Sequence, residues 1–133
     1  MGWLFKKKFA MNGSKYLADT NILLYFISGN QGIFEYTDNE FYISEITEIE
    51  LLGIKGITPL QLKYRGKVID NCTIIPLSEN IKHLTISLKQ IHTLKIPDAI
   101  IAATAIYLNI PLLTANKDFK KIRELNLTIG QPH

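Results

Sequence analysis

Short apolar runs alternate with helix-patterned stretches along the chain, and no tight hairpin signal joins any neighbouring pair of runs. That order constrains the fold more than any other feature. "KYLAD" reads as a strand, with a helical segment from Asn21 to Ser28 behind it. "EFYIS" is a second strand, "EITEIELLGI" is helical, and "TPLQLKYRGKVID" starts a further helix with proline in its first turn. "CTIIPL" is a third strand. Ile81, Leu84, Leu88 and Ile91 then recur at spacings of three and four, which marks an amphipathic helix with Ser78 as its cap. Asp98 to Leu108 is a helix apolar on every side, "IPLLTA" a fourth strand and "LNLTI" a short fifth. Strands alternating with helices imply βαβ units, right-handed crossovers and parallel pairing. The expected fold is a three-layer α/β/α sandwich around a central parallel sheet of about four to five strands. In such sheets, sites form at the carboxyl ends of the strands, where strand order reverses.

The totals fit this class. A chain of 133 residues suits one domain, and 47% apolar with 20% charged residues describes a soluble globular protein. No apolar stretch is long enough to span a bilayer, so no membrane partner is expected. The lone cysteine, Cys72, makes a disulfide framework impossible and is read as a buried small hydrophobe; a reducing interior, the cytoplasm, is the natural compartment. Residues 1–14 form a leader, with Trp3, Leu4, Phe5 and Phe9 around Lys6, Lys7 and Lys8, ahead of a single domain over 15–133. The leader lacks the sustained apolar core of a secretory signal; it reads as an amphipathic turn, or as residues upstream of a start at Met11.

Four acids fall at or soon after strand exits, or at a helix start. Asp19 directly follows the first strand, where it is either a helix cap, in competition with Thr20 and Asn21, or a ligand. Glu50 falls, at about 100° per residue, inside an arc made by Ile46, Ile49, Gly53 and Ile54, while Glu48 projects to the other side. Thr47 and Glu50 match a capping box, but Ser44 is the better cap, leaving Glu50 aimed at packed structure. Asp98 follows Pro97 at a helix start, a place the helix dipole favours, with the small Ala102 and Ala105 on its side leaving room for something to approach. Asp118, in "TANKDF", has a turn or cap as its ordinary role.

Like charges gathered within a few ångströms raise one another's pKa, and a hard divalent cation resolves the conflict. Mg²⁺, or Mn²⁺, prefers such oxygen ligands, and no histidine–cysteine cluster competes for a softer metal. His83, His92 and His133 are read as surface or packing residues. An all-carboxylate site in a chain of net charge +3 points to phosphodiester chemistry, in which the metal polarises the phosphate and acidifies a water. Lys117, Lys120, Lys121 and Arg123 beside Asp118, and the run Lys63, Arg65 and Lys67, could hold a nucleic-acid backbone, although such runs are more often solvated faces.

"LADTNILLYFI", "YISEITEIELLG" and "PDAIIAATAIYLNIPLLTANKDFKKI", taken together and in register, resemble the PIN domain, specifically the VapC type of ribonuclease toxin. The resemblance runs from Tyr16 to about Ile129. It implies a parallel-sheet α/β/α fold, Mg²⁺-dependent endoribonuclease activity on RNA, a homodimer and a cognate antitoxin protein. Carried across, Asp19, Glu50 and Asp98 are metal-binding catalytic acids, and Asp118 helps bind metal or orient water. Thr20, Asn21, Ser44, Thr47, Thr114 and Asn116 then surround and orient the acids. Three departures stand out: Asn116 where many members carry another aspartate, which lowers the charge available to a second metal; Ala115 where an arginine is common; and a leader before Tyr16 that is longer than usual. Two rivals remain. One is an inactive module of the same fold that holds RNA or protein. The other is a signalling receiver domain, which needs an aspartate closing the third strand that "CTIIPLSEN" does not offer there.

Overall fold

The structure, a computed structural model, describes residues 14–29 and 39–129. Strand β1 (Lys15–Ala18) leads into helix α1 (Thr20–Ile27); β2 (Glu40–Ser44) runs directly into α2 (Glu45–Leu52). Then come α3 (Pro59–Asp70), β3 (Cys72–Ile75), α4 (Glu79–Ile91), α5 (Ile96–Leu108) and β4 (Leu112–Thr114). A 3-10 turn over Lys117–Lys121 precedes β5 (Leu127–Ile129). The strands form one sheet in the order β3-β2-β1-β4-β5, and every pairing is parallel. Among the described residues, the expected class and the expected strands are all present.

A parallel sheet is buried on both faces, so successive strand residues must feed two cores. Leu17 and Leu112 point into one cluster, with Ile81 and Leu88 of α4, Ala99 and Ile101 of α5, and Phe119. Their neighbours Ala18 and Leu113, with Ile43, point into the other, with Ile22 and Leu23 of α1, Leu51 of α2 and Ile69 of α3. Helix α5 is buried from Ala99 through Ala105, which is why its sequence shows no polar face. It begins at Ile96 rather than at Asp98, because a proline in the first turn gives up an N–H that has no helical partner anyway.

Caps set the other helix starts. Ser44 accepts from the Ile46 N–H, Ser78 from the Ile81 N–H, and Thr58 with Gln61 forms a reciprocal capping box. Asp19, not Asn21 or Thr20, caps α1, so Asn21 sits inside the first turn.

One expectation is corrected. The buried stripe of α2 is Thr47 and Leu51, while Ile49 is 60% and Ile54 42% exposed. Hydropathy put the face one position away because Thr47 bonds its hydroxyl to Thr20 and can therefore lie inside. Glu50 is consequently exposed instead of aimed at packed structure. Ala102 and Ala105, on the same helix as Asp98, are both packed in the core, while Asp98 itself is half-buried. Of the expected leader only Ser14 is described, and its carbonyl already accepts from the Glu40 N–H; residues 1–13 lie outside the described residues, as does His133. Among the described residues no helix is long and apolar enough to cross a membrane.

Leu17 is fully buried on the central strand. Replacing it with alanine is expected to destabilise the fold by about 2–5 kcal/mol. A lowered urea midpoint at unchanged slope would show this; a change under about 0.5 kcal/mol would contradict the packing described.

Candidate active site at the strand-order reversal

Because β1 is flanked by β2 on one side and β4 on the other, strand order reverses between β1 and β4. Asp19 leaves the carboxyl end of β1, and Thr114 closes β4. Across this crevice the Thr114 hydroxyl donates to Asp19 Oδ2 at 2.7 Å, while the Thr20 N–H donates to Oδ1 at 2.8 Å. The Asp19 backbone N–H donates to the Leu113 carbonyl, which fixes where the side chain starts. Asp19 is only 5% exposed. Burial pushes its carboxyl up from 3.8 to about 6; the two hydrogen bonds pull the other way, and the charges of Asp98 and Glu50 add to the rise.

The same fields connect the remaining acids. Asp98, half-buried in the first turn of α5, is also raised, first by burial and then by Glu50; Asp118 adds to the rise, while Lys95 and Lys121 oppose it. Glu50 accepts from the Thr20 hydroxyl at 2.7 Å, and Thr20 Oγ1 lies 3.0 Å from Thr47 Oγ1. A hydroxyl has one hydrogen, and that of Thr20 goes to Glu50, so the buried Thr47 is the donor to Thr20. Asp118 is exposed on the 3-10 turn, its N–H donating to Asn116 Oδ1 at 3.0 Å. Asn116 in turn donates its N–H to Thr114 Oγ1 at 3.0 Å. Asp19, Thr114, Asn116 and Asp118 are thus linked in one chain of hydrogen bonds.

The remaining candidates divide. Ser44 caps α2, and Asn21 Oδ1 is buried without a hydrogen-bond partner. Lys117, Lys120 and Arg123 are exposed beside Asp118. Lys121 instead donates to the Thr93 carbonyl, and Arg65 donates to the carbonyl of Leu51 at 2.8 Å, tying α3 to the end of α2. Lys95, the residue before α5, escaped notice in the sequence; only its place two residues before the Pro97–Asp98 pair could have marked it. Cys72 is partly buried, its thiol pushed up to about 11 by burial. The pocket lined by Leu23, Phe26, Phe41, Val68 and Cys72, with Asn39 and Asn71, carries none of the four acids.

The donor set, all carboxylate oxygen, suits a hard cation, which would favour the ionised forms of Asp19 and Asp98 against the burial and the neighbouring acids that raise them. As the side chains stand, however, no three of the described histidine, cysteine, aspartate and glutamate side chains are grouped closely enough to hold a metal ion. Charge and donor type fit; the ligand cluster is not drawn together.

In the unfolded chain Asp19 ionises near 3.8, in the folded one near 6, so between those pH values only the native state keeps the proton. Raising the pH through that window therefore removes stability, about 3 kcal/mol for this group in the metal-free protein. Asp98 acts in the same direction. Asp19→Asn, which keeps a capping side chain, is expected to flatten the profile; urea denaturation from pH 4 to 7 without divalent ions measures it. An equally steep profile in that variant would show that Asp19 is not the group responsible.

A sequence model of the PIN domain matches residues 16–125 of the chain. Comparison with curated protein sequences gives no match. Among solved structures, a chain of a toxin–antitoxin complex from Klebsiella pneumoniae is 34% identical, with a TM-score of 0.72 over 83% of this chain and 94% of that one. VapBC2 from Rickettsia felis, bound to a DNA fragment from its promoter, is 26% identical over 88% of this chain and 99% of that one, with a TM-score of 0.74. VapBC-1 from nontypeable Haemophilus influenzae is 25% identical, with a TM-score of 0.73 over 86% of this chain and 97% of that one. With the fold and these matches in agreement, the chain belongs to the PIN-domain family, and its structure is similar to chains of VapBC toxin–antitoxin complexes.

Proposed function

We propose that the chain is a Mg²⁺-dependent endoribonuclease (Mn²⁺ serving in its place), the toxin of a toxin–antitoxin pair, hydrolysing RNA phosphodiester bonds. The acids Asp19, Glu50, Asp98 and Asp118 would hold the metal. One observation carries this reading: a carboxylate, Asp19, is buried at the strand-order reversal within the fields of two other acids. Nothing in the fold requires an acid there, since asparagine caps a helix as well. A charge that opposes folding and sits in the crevice where ligands bind is what a cation site needs.

When bound, Mg²⁺ supplies polarisation of the phosphate and a water acidic enough to attack it. The chain's own residues supply arrangement. Thr114 and the Thr20 N–H hold both oxygens of Asp19, and the Thr47–Thr20 pair holds Glu50. Asn116 fixes the backbone of Asp118. Exposed Lys117, Lys120 and Arg123 border that acid and suit the RNA backbone. By analogy with the VapBC complexes, the partner would be a cognate antitoxin protein; the toxin would act as a homodimer in the cytoplasm.

Purified protein incubated with end-labelled RNA should cleave in Mg²⁺ and stop in chelator. Asp98→Ala should lower the rate by more than the roughly 10–100-fold that losing an outer partner costs, with the circular dichroism spectrum unchanged. Thr114→Val, which removes such a partner from Asp19, should fall within that 10–100-fold range. Cleavage retained by Asp98→Ala would reject the assignment.

The second reading is an inactive module that holds RNA or protein. It is favoured by the one observation that, among the described residues, no three metal-binding side chains are grouped. RNA binding indifferent to Mg²⁺, without turnover, would select it.

A further inference from the structure

Asp98 is delivered to the acidic edge by the connection over residues 92–95, between α4 and α5. Two ammonium groups grip successive carbonyls of that connection. Lys89 Nζ, from α4, donates to the Leu94 carbonyl at 2.6 Å. Lys121 Nζ donates to the Thr93 carbonyl at 2.5 Å, from the far end of the 3-10 turn. The first bond is local. The second joins segments 28 residues apart, one leading to Asp98 and the other carrying Asp118.

The turn itself is well anchored. Phe119 is 1% and Ile122 2% exposed in the core, and Asn116 caps the turn's start. A turn fixed at its base can act as a post, and Lys121 is the strut from that post to the connection. Its bond is charge-assisted, the stronger kind of hydrogen bond. All four cations of the run "NKDFKKIR" are exposed, but Lys121 differs from Lys117, Lys120 and Arg123 in that its ammonium is engaged, at the surface, with the chain's own backbone.

We propose that Lys121 is a positioning residue whose bond to the Thr93 carbonyl sets the spacing between Asp98 and Asp118. Its effect on catalysis rests on the nuclease reading; its effect on the connection rests on the hydrogen bond alone.

The test uses the full chain with Lys121→Met, which keeps length but removes donor and charge, and Lys121→Arg, which keeps both. In metal-free protein, hydrogen exchange at His92 and Ala99, whose N–H groups donate to the Leu88 and Lys95 carbonyls on either side of the connection, should accelerate about tenfold in Lys121→Met, return towards wild type in Lys121→Arg, and leave the urea midpoint in place. With RNA and Mg²⁺, Lys121→Met should lower kcat by about tenfold or more while KM and its salt dependence hold. Lys117→Met, by contrast, should raise KM and reduce the salt slope by about one. Unchanged exchange in Lys121→Met overturns the proposal whether or not the wild type cleaves RNA. A raised KM and a flatter salt slope at preserved kcat also overturn it, making Lys121 a phosphate contact. A wild type without Mg²⁺-dependent cleavage removes the nuclease reading, and the exchange measurement still decides whether Lys121 holds the connection.

Discussion

The hydrogen bond from the Thr114 hydroxyl to Asp19 Oδ2 joins residues 95 positions apart, and the acidic edge hangs from it on both sides. On the β4 side, Thr114 also accepts from the Asn116 N–H, and Asn116 holds the start of the turn that carries Asp118. On the β1 side, the turn capped by Asp19 begins with Thr20, whose hydroxyl reaches Glu50. The bond exists because parallel pairing puts Ala18 against Leu113, so the next residue of each strand meets across the crevice. Sheet register, not local sequence, brings these groups together.

Charge is distributed unevenly around that bond. Asp19 is deep and carries the larger burden of burial, with no lysine opposing its rise. Asp98 is shallower and is flanked by Lys95 and Lys121. The two carboxylates therefore differ in how readily each stays ionised, a difference set by environment and not by residue type. Glu50 and Asp118 sit at the exposed rim, where water screens them.

Much of the fold was legible because its signals are local or periodic. Leu17 and Ala18 feed opposite cores as strand alternation requires, and Ser44, Ser78 and Pro59 mark their helices as sequence rules anticipate. The acids were legible by position, since a strand exit is visible in sequence even when its neighbours in space are not. What escaped was set by tertiary partners. Thr47 took the interior face of α2 because Thr20 was there to bond it, and the apolar arc that pointed to Glu50 turned outward. Arg65 and Lys121 look like solvated charges until the carbonyls of Leu51 and Thr93 appear beside them. Those carbonyls carry no side-chain signature, so no spacing rule could have announced them.

The central place of β1 has a consequence for how the protein is made. One edge of β1 can accept β2 once residues 40–44 are available, but its other edge waits for β4 at 112–114. Until Thr114 has cleared the ribosome, Asp19 lacks its partner, and Asp98 has no finished sheet to dock against. Folding dominated by such distant pairings is slow and finishes late. The nascent polypeptide thus carries Asp19 and Glu50 well before Asp98, Asp118 and the sheet that joins them exist.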